Sequence, residues 1–277
     1  MGQQTSLERK KNNKDLVQNN LNIKIKRMIH PILFLLAGTK IKYKIIKDND
    51  YSGKTIQFSK DRPIIFVCNH ATSFDIPIAL KAIKEHTILF AGKQPLEKID
   101  ELFFNLNGTI YVDRKDREDM KLSKQAMIDT LKKKRNILVF PEGTWNLTDS
   151  NLMHEMKWGI IEVAQSADAL IVPLVLNYDY DKRTCKYNFG KAIDVKNKTL
   201  REGIENVRDS IATLRWYYFE NQGIMKRKNI DSEKEKQKIM ASIDEYPKLD
   251  YEYEKSVIFK SKPTNEEVFM PIKKLTR

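Results

Sequence analysis

Three short polar stretches hold residue types that carry out acid–base chemistry or bind anions, and each follows an apolar run. They are "NHATSFD" (69–75) after "PIIFVC", "DR" (113–114) after "GTIYV", and "PEGT" (141–144) after "NILVF". In an open α/β sheet, sites form at the carboxyl ends of strands. If the three apolar runs are strands of one sheet, we therefore expect the polar stretches to share one cleft.

The first stretch pairs a histidine with a carboxylate. If residues 71–74 form a tight turn, Asp75 can fold back toward His70, hold one ring nitrogen protonated and leave the other free as a base. The alternative is that Asp75 caps a helix while His70 ends a strand. Cys68 lies on the same strand face as His70 and would be a nucleophile in a Cys–His pair. Because Cys68 ends an apolar run, we expect a buried, inert thiol instead.

The other two stretches offer cations and a backbone turn. Arg114 presents a planar fork that suits a phosphate, and Lys93, after the run "TILFAG", offers a second cation. A surface ion pair between Asp113 and Arg114 is the alternative. Gly143 lets a ligand approach the backbone. Glu142 can accept from a substrate hydroxyl or pair with a cation, although "PEGT" also fits a plain turn before a helix.

Strand and helix patterns alternate between residues 40 and 220. This alternation predicts an α/β domain with a largely parallel or mixed sheet flanked by helices. The predicted strands cover residues 40–47, 55–59, 63–68, 87–92, 108–113, 136–140 and 169–176, with a further extended stretch at 187–193. The predicted helices cover residues 76–84, 96–105, 116–135, 153–167 and 199–220.

An apolar stripe with helical spacing precedes this domain, formed by Val17, Leu21, Ile25, Met28 and Ile32. Lysines and an arginine lie between its members, a pattern that suits an amphipathic helix in a membrane interface. A helix packed on its own domain is the alternative. The longest apolar run, residues 28–38, falls short of the roughly 20 residues that a membrane-spanning helix needs.

The composition and charge of the chain bear on which partners it can bind. Formal net charge is +13, and 38 of the 50 basic residues are lysine. This excess indicates attraction to an anionic membrane or another polyanion, although a solvated lysine-rich surface explains it equally well. No nucleic-acid motif is recognisable, so we expect no nucleic-acid partner. Two cysteines make neither a disulfide framework nor a zinc cluster.

Together the motifs resemble one family, the glycerolipid acyltransferases that include 1-acylglycerol-3-phosphate acyltransferases. "NHATSFD" matches the family motif N-H-x-x-x-x-D, and "GTIYVDR" matches its glycine, apolar stretch and Asp-Arg. "FPEGTWN" matches five of the seven residues of Phe-Pro-Glu-Gly-Thr-Arg-Ser, and "IVPLVL" matches the fourth motif at its Val-Pro. The motifs stand in family order, and the resemblance covers roughly residues 20–220.

The resemblance implies that His70 is the general base on an acceptor hydroxyl, that Asp75 orients it, and that no acyl-enzyme forms. It also implies a substrate-binding set that holds the acceptor phosphate and shapes the site around it: Lys93, Arg114, Glu142, Gly143 and Thr144. The predicted domains are a tail and membrane-interface segment (1–38), an acyltransferase domain (39–222) and, outside the resemblance, a charged helix and tail (223–277).

The implied reaction moves a fatty acyl group from acyl-CoA or acyl-carrier protein to lysophosphatidate, giving phosphatidate in phospholipid biosynthesis. The resemblance implies no metal and no cofactor beyond the acyl donor. The implied location is peripheral or monotopic, on the cytoplasmic face of an anionic membrane.

One departure from the family pattern leaves the acceptor open. Trp145 stands where the third motif has arginine, and Asn146 stands where it has serine. Lys157 is a candidate replacement cation. The alternatives are an acyltransferase for a different lysolipid or a non-phosphate acceptor, and a non-catalytic lipid-binding protein on the same fold.

Overall fold

The computed structural model of the protein describes two kinds of segment: the body of the domain and a few residues on either side of it. The body comprises residues 41–48, 61–92, 98–143, 145–146, 152–153, 156–157 and 159–221. The flanking residues are 25, 28–29, 31–32, 231, 233–234 and 237.

The described residues form one eight-stranded sheet. Its strands are β1 (Lys44–Lys47), β2 (Ile64–Cys68), β3 (Thr87–Gly92), β4 (Thr109–Val112), β5 (Asn136–Val139), β6 (Leu170–Asp179), β7 (Thr184–Phe189) and β8 (Ile193–Asp194). Their order is β1-β7-β6-β2-β5-β3-β4, with β8 beside β6. All pairs are parallel except β6–β7 and β6–β8. Strands β2 to β6 therefore end at one edge.

Helices cover both faces of this sheet. They are α1 (Asp75–Ile83), α2 (Lys98–Asn107), α3 (Arg117–Lys132), α4 (Gly159–Ala167) and α5 (Leu200–Asn221). Along β2, Ile65 and Val67 pack with α3, α4 and α5, whereas Ile64, Phe66 and Cys68 pack with α1. A strand buried on both faces needs a continuous apolar sequence, and this explains the run "PIIFVC".

The predicted fold class is confirmed, and most predicted elements lie within three residues of the observed ones. The predicted helix 153–167 was wrong at its start, because α4 begins at Gly159. The reason is that the Lys157 amide donates to the Pro141 carbonyl at 3.0 Å, which commits this backbone to the turn after β5. The last predicted strand was too short, since β6 runs on to Asp179 by pairing with β7. The predicted strand 55–59 lies outside the described residues.

Part of the predicted amphipathic stripe is visible. Ile25, Met28 and Ile32 are helical and exposed by 50%, 77% and 60%. The other two members and both predicted domain boundaries lie outside the described residues. Across the described chain, no helix combines the length and apolarity needed to span a bilayer. Membrane contact of this stripe stays a prediction.

Candidate active site

The side chain of Asp75 is a fully buried carboxylate at the centre of the site. Its Oδ2 atom accepts hydrogen bonds from the amides of Ala71 and Thr72 and lies 2.7 Å from Nδ1 of His70. Its Oδ1 atom accepts from the hydroxyl of Tyr178. A buried charge is costly unless it is paired and hydrogen-bonded, and this set of donors meets that requirement.

One ring nitrogen of His70, Nδ1, contacts Asp75, and the other, Nε2, does not. Both carboxylate oxygens accept from N–H and O–H donors, so we assign the shared proton to Nδ1 and the lone pair to Nε2. Within the described part of the chain, Nε2 has no hydrogen-bond partner, and 17% of the side chain is exposed. The imidazole is therefore oriented as a base, with the lone-pair nitrogen left for a substrate.

The segment after β5 holds the peptide of His70 on both sides. The His70 amide donates to Glu142 Oε1 at 2.9 Å, and the Asn146 amide donates to the His70 carbonyl at 2.8 Å. Glu142 is buried, with 4% of its surface exposed. Glu142 therefore supports the backbone of the histidine. Its predicted contact with the substrate stays a prediction.

Asn69 locks the start of this loop to β6. Its Nδ2 atom donates to the Leu176 carbonyl at 3.0 Å, and its Oδ1 atom accepts from the Leu176 amide at 2.8 Å. These two bonds continue the pairing of β2 with β6 beyond Cys68 and Leu174, the last pair in the backbone register. The residue before His70 is thus fixed by its side chain as well as by the sheet.

Arg114 lies where the ends of β3, β4 and β5 meet. Its Nη1 atom donates to the Gly143 carbonyl. A Cβ atom at Gly92 would stand 3.3 Å from the Arg114 Cζ atom, and glycine leaves the room that the guanidinium occupies. Gly143 has φ of +73°, a region that glycine adopts without penalty. The structure therefore brings the second and third polar stretches together, as the sequence predicts.

Trp145 is buried beside the histidine. It is 5% exposed, and its ring centroid lies 5.7 Å from that of His70, while Phe140 lies 4.5 Å from the same ring. Trp145 therefore contributes an apolar wall beside the base and no charge. Lys157, the suggested replacement cation, is exposed, and its amide contact with Pro141 places it next to the turn after β5.

The thiol of Cys68 is 0% exposed, and burial raises its pKa well above the usual value. A protonated, buried thiol is a poor nucleophile, in agreement with the prediction of an inert core residue. Cys185 is likewise buried and unpaired with Cys68.

Two further residues of the site were missed by the sequence reasoning. Tyr178, near the end of β6, contacts Asp75 as described above. Arg215, on α5, is buried, and its Nη1 atom donates to the Leu176 carbonyl at 3.4 Å. Burial lowers the pKa of Arg215, while the nearby charges of Glu142 and Asp75 oppose that shift. No local sequence signal separates Arg215 from Arg201, the exposed arginine of the same helix.

Two predicted site residues, Lys93 and Thr144, lie outside the described residues, so their roles stay predictions. Within the described ranges, no group of three or more His, Cys, Asp or Glu side chains is arranged to hold a metal ion.

The residues of this site fall within a stretch of sequence that matches a known protein family. The acyltransferase family model matches residues 50–177, a range that contains His70, Asp75, Arg114 and Glu142. The resemblance predicted from the motifs is confirmed, since residues 50–177 match the acyltransferase family model.

Two curated relatives show which acyltransferases the chain is similar to. The chain is 31% identical over 201 residues to the 1-acyl-sn-glycerol-3-phosphate acyltransferase of Saccharomyces cerevisiae, covering 67% of this chain and 63% of that protein. It is 27% identical over 120 residues to the lyso-ornithine lipid O-acyltransferase of Pseudomonas aeruginosa, covering 43% and 45%. The chain thus spans less than two thirds of the length of these curated relatives.

Among solved structures, the 1-acyl-sn-glycerophosphate acyltransferase of Thermotoga maritima aligns with a TM-score of 0.49 at 16% identity. The alignment covers 78% of this chain and 84% of that one.

Replacing Arg215 by leucine tests whether this buried arginine stabilises the site. The hydrogen bond to the Leu176 carbonyl is then lost and the positive charge near Glu142 and Asp75 is removed, and we expect the free energy of unfolding to fall by about 1–3 kcal/mol. Urea-induced unfolding measures this loss. The matched control is Arg201→Leu in the first turn of α5, whose side chain is 56% exposed; its pair with Glu205 is worth about 1 kcal/mol or less. Equal losses in the two variants would show that Arg215 is not an electrostatic partner of the site.

Proposed function

We propose that the protein transfers a fatty acyl group from a thioester donor to the free hydroxyl of lysophosphatidate, giving phosphatidate. His70 Nε2 takes the proton of the acceptor hydroxyl, and the oxygen attacks the thioester carbonyl. The carbon–sulfur bond then breaks, and the leaving thiolate takes the proton back from the imidazolium. The acyl group passes directly to the acceptor, and Cys68 takes no part.

The observation that carries this proposal is the contact of His70 with Asp75. The buried carboxylate holds Nδ1 at 2.7 Å, so the lone pair resides on Nε2. A general base in this arrangement accepts a proton and is stabilised by the same carboxylate once it is charged. The binding of a lipid without catalysis needs no such oriented base.

Lysophosphatidate is the proposed acceptor on two grounds. The relative from Saccharomyces cerevisiae is named as a 1-acyl-sn-glycerol-3-phosphate acyltransferase. In this chain, the Arg114 guanidinium has five N–H groups. Among the described residues, one of these groups donates to the Gly143 carbonyl. The remaining groups suit a bidentate contact with a phosphate. Lys93 and Thr144 complete the proposed acceptor site, with Glu142 and Gly143 forming its wall.

A second acceptor class is favoured by Trp145. The indole is buried against His70 and offers no charge at the position of the family's arginine. The relative from Pseudomonas aeruginosa is named as a lyso-ornithine lipid O-acyltransferase. An acyltransferase for a lysolipid without a terminal phosphate is therefore the second candidate function.

The proposed donor is acyl-CoA or acyl-carrier protein, and no metal or other cofactor takes part in the proposed reaction. The proposed place of action is the cytoplasmic face of an anionic membrane. The exposed apolar stripe at Ile25, Met28 and Ile32 and the formal net charge of +13 support this location, because apolar burial and attraction to anionic lipids add together at a membrane interface.

Replacing His70 by alanine tests the mechanism. We expect kcat to fall by about a hundredfold to ten-thousandfold, the usual contribution of general-base catalysis. The assay measures acyl transfer from acyl-CoA and from acyl-carrier protein to lysophosphatidate and to an ornithine lysolipid, so that it also identifies the acceptor and the donor.

The control is His86→Ala. His86 is a half-buried histidine in the loop between α1 and β3, and its Nε2 atom lies 2.7 Å from the Asn107 carbonyl. This variant should keep the wild-type kcat. Full turnover by His70→Ala would contradict the mechanism, and no turnover by the wild-type protein with any donor and acceptor would contradict the proposed reaction.

Replacing Gly92 by alanine tests the phosphate contact. The new Cβ atom would stand 3.3 Å from the Arg114 guanidinium and move it by a few tenths of an ångström, which weakens a bidentate contact. We expect KM for lysophosphatidate to rise by no more than about tenfold, the effect of losing one charged hydrogen bond completely, with kcat unchanged. Gly159→Ala is the matched control, since a Cβ atom there meets nothing within 4 Å. An unchanged KM for lysophosphatidate would favour the acceptor without a phosphate.

A further inference from the structure

The two oxygens of the Asp75 carboxylate are held from different parts of the chain. Oδ2 accepts from the local turn, at the amides of Ala71 and Thr72, and from His70 Nδ1. Oδ1 accepts from Tyr178, which lies 103 positions later in the sequence, on β6. The Thr72 hydroxyl also approaches Oδ1, but at 3.4 Å. The phenol is therefore the closest donor to that oxygen.

Tyr178 is itself held rigidly. Its backbone pairs with Cys185 in the antiparallel ladder between β6 and β7. Its ring contacts that of Tyr43 edge-on at 5.1 Å and stacks on that of Tyr180 at 5.7 Å. Burial and the nearby Asp75 charge raise the pKa of Tyr178 well above its usual value, so the phenol stays protonated and remains a donor.

We propose that Tyr178 is a positioning residue for the His70–Asp75 pair, because its hydroxyl fixes Oδ1 and thereby keeps Oδ2 on the imidazole. Its effect on turnover rests on the proposed function, whereas its effect on the geometry of the pair does not.

The physical reason is that a carboxylate group can rotate about the last bond of its side chain. The terminal torsion of an aspartate is broad, so a carboxylate held at one oxygen can still rotate. Donors on both oxygens remove that rotation. When His70 becomes an imidazolium during proton transfer, a carboxylate that is already in place stabilises the new charge without reorganising. A rotated carboxylate would lengthen the contact with Nδ1 and weaken the base.

Replacing Tyr178 by phenylalanine keeps the ring and removes the hydroxyl. We expect kcat for acyl transfer to fall about tenfold to a hundredfold, the range for a hydrogen bond to a charged group, while KM for both substrates stays unchanged. The matched control is Tyr180→Phe, which removes a hydroxyl from the ring stacked on Tyr178 and should keep the wild-type kcat. A Tyr178→Phe variant with the kcat of the wild-type protein would overturn the proposal.

A double-mutant cycle separates positioning from a general structural effect. In an Asp75→Asn background the carboxylate is already lost, so adding Tyr178→Phe should change kcat by less than about twofold, since residues that act as a unit are not additive. A purely structural role would give the same factor in both backgrounds, and that result would overturn the proposal.

Proton NMR tests the positioning role of Tyr178 without any substrate. The Nδ1 proton of His70, shared with a buried carboxylate, should give a downfield, slowly exchanging proton NMR signal, assigned by its loss in His70→Ala. We expect this signal to shift or broaden in Tyr178→Phe and to stay unchanged in Tyr180→Phe. An unchanged signal in Tyr178→Phe would overturn the positioning role, even if the wild-type protein showed no acyl transfer and the proposed function had therefore failed.

Discussion

The burial of the Asp75 carboxylate is the constraint on which the rest of the site depends. A charge that is removed from water must be compensated by donors or by an opposite charge. Here the compensation comes from two amides of the turn after β2, from the imidazole of His70 and from the phenol of Tyr178. The hydrogen bonds that stabilise the buried carboxylate also orient the imidazole. Folding of this loop therefore places the imidazole in the orientation of a base.

Strand β6 joins these contacts to the rest of the fold. It pairs with β2 as far as Leu174 and then continues to Asp179 against β7 alone. In that overhang, the peptide of Leu176 bonds to the Asn69 side chain and to Arg215, and Tyr178 reaches Asp75. An antiparallel partner on one side thus lets the strand extend past the edge of the parallel sheet and form the back wall of the site.

Strands β2 to β6 and the meeting of the three polar stretches could be predicted from the sequence, because burial on both faces gives strands such as β2 a continuous apolar pattern and parallel strands end at one edge. The inward direction of Glu142 and the burial of Trp145 could not be predicted, since both depend on how the turn after β5 closes over His70. Tyr178 and Arg215 were missed because their contacts cross 103 and 39 positions of sequence. Local periodicity carries no information about such pairs.

In the proposed reaction, an oriented base beside an inert thiol predicts that the acyl group would pass directly from the thioester to the hydroxyl, with no acylated form of the protein. Intact-protein mass spectrometry after incubation with acyl-CoA or acyl-carrier protein, in the absence of acceptor, tests this most directly. The expected result is a chain of unchanged mass, with the thioester consumed only after lysophosphatidate or another accepted lysolipid is added. An acyl adduct on the chain that disappears on addition of the acceptor would contradict direct transfer and point to Cys68 or His70 as a nucleophile.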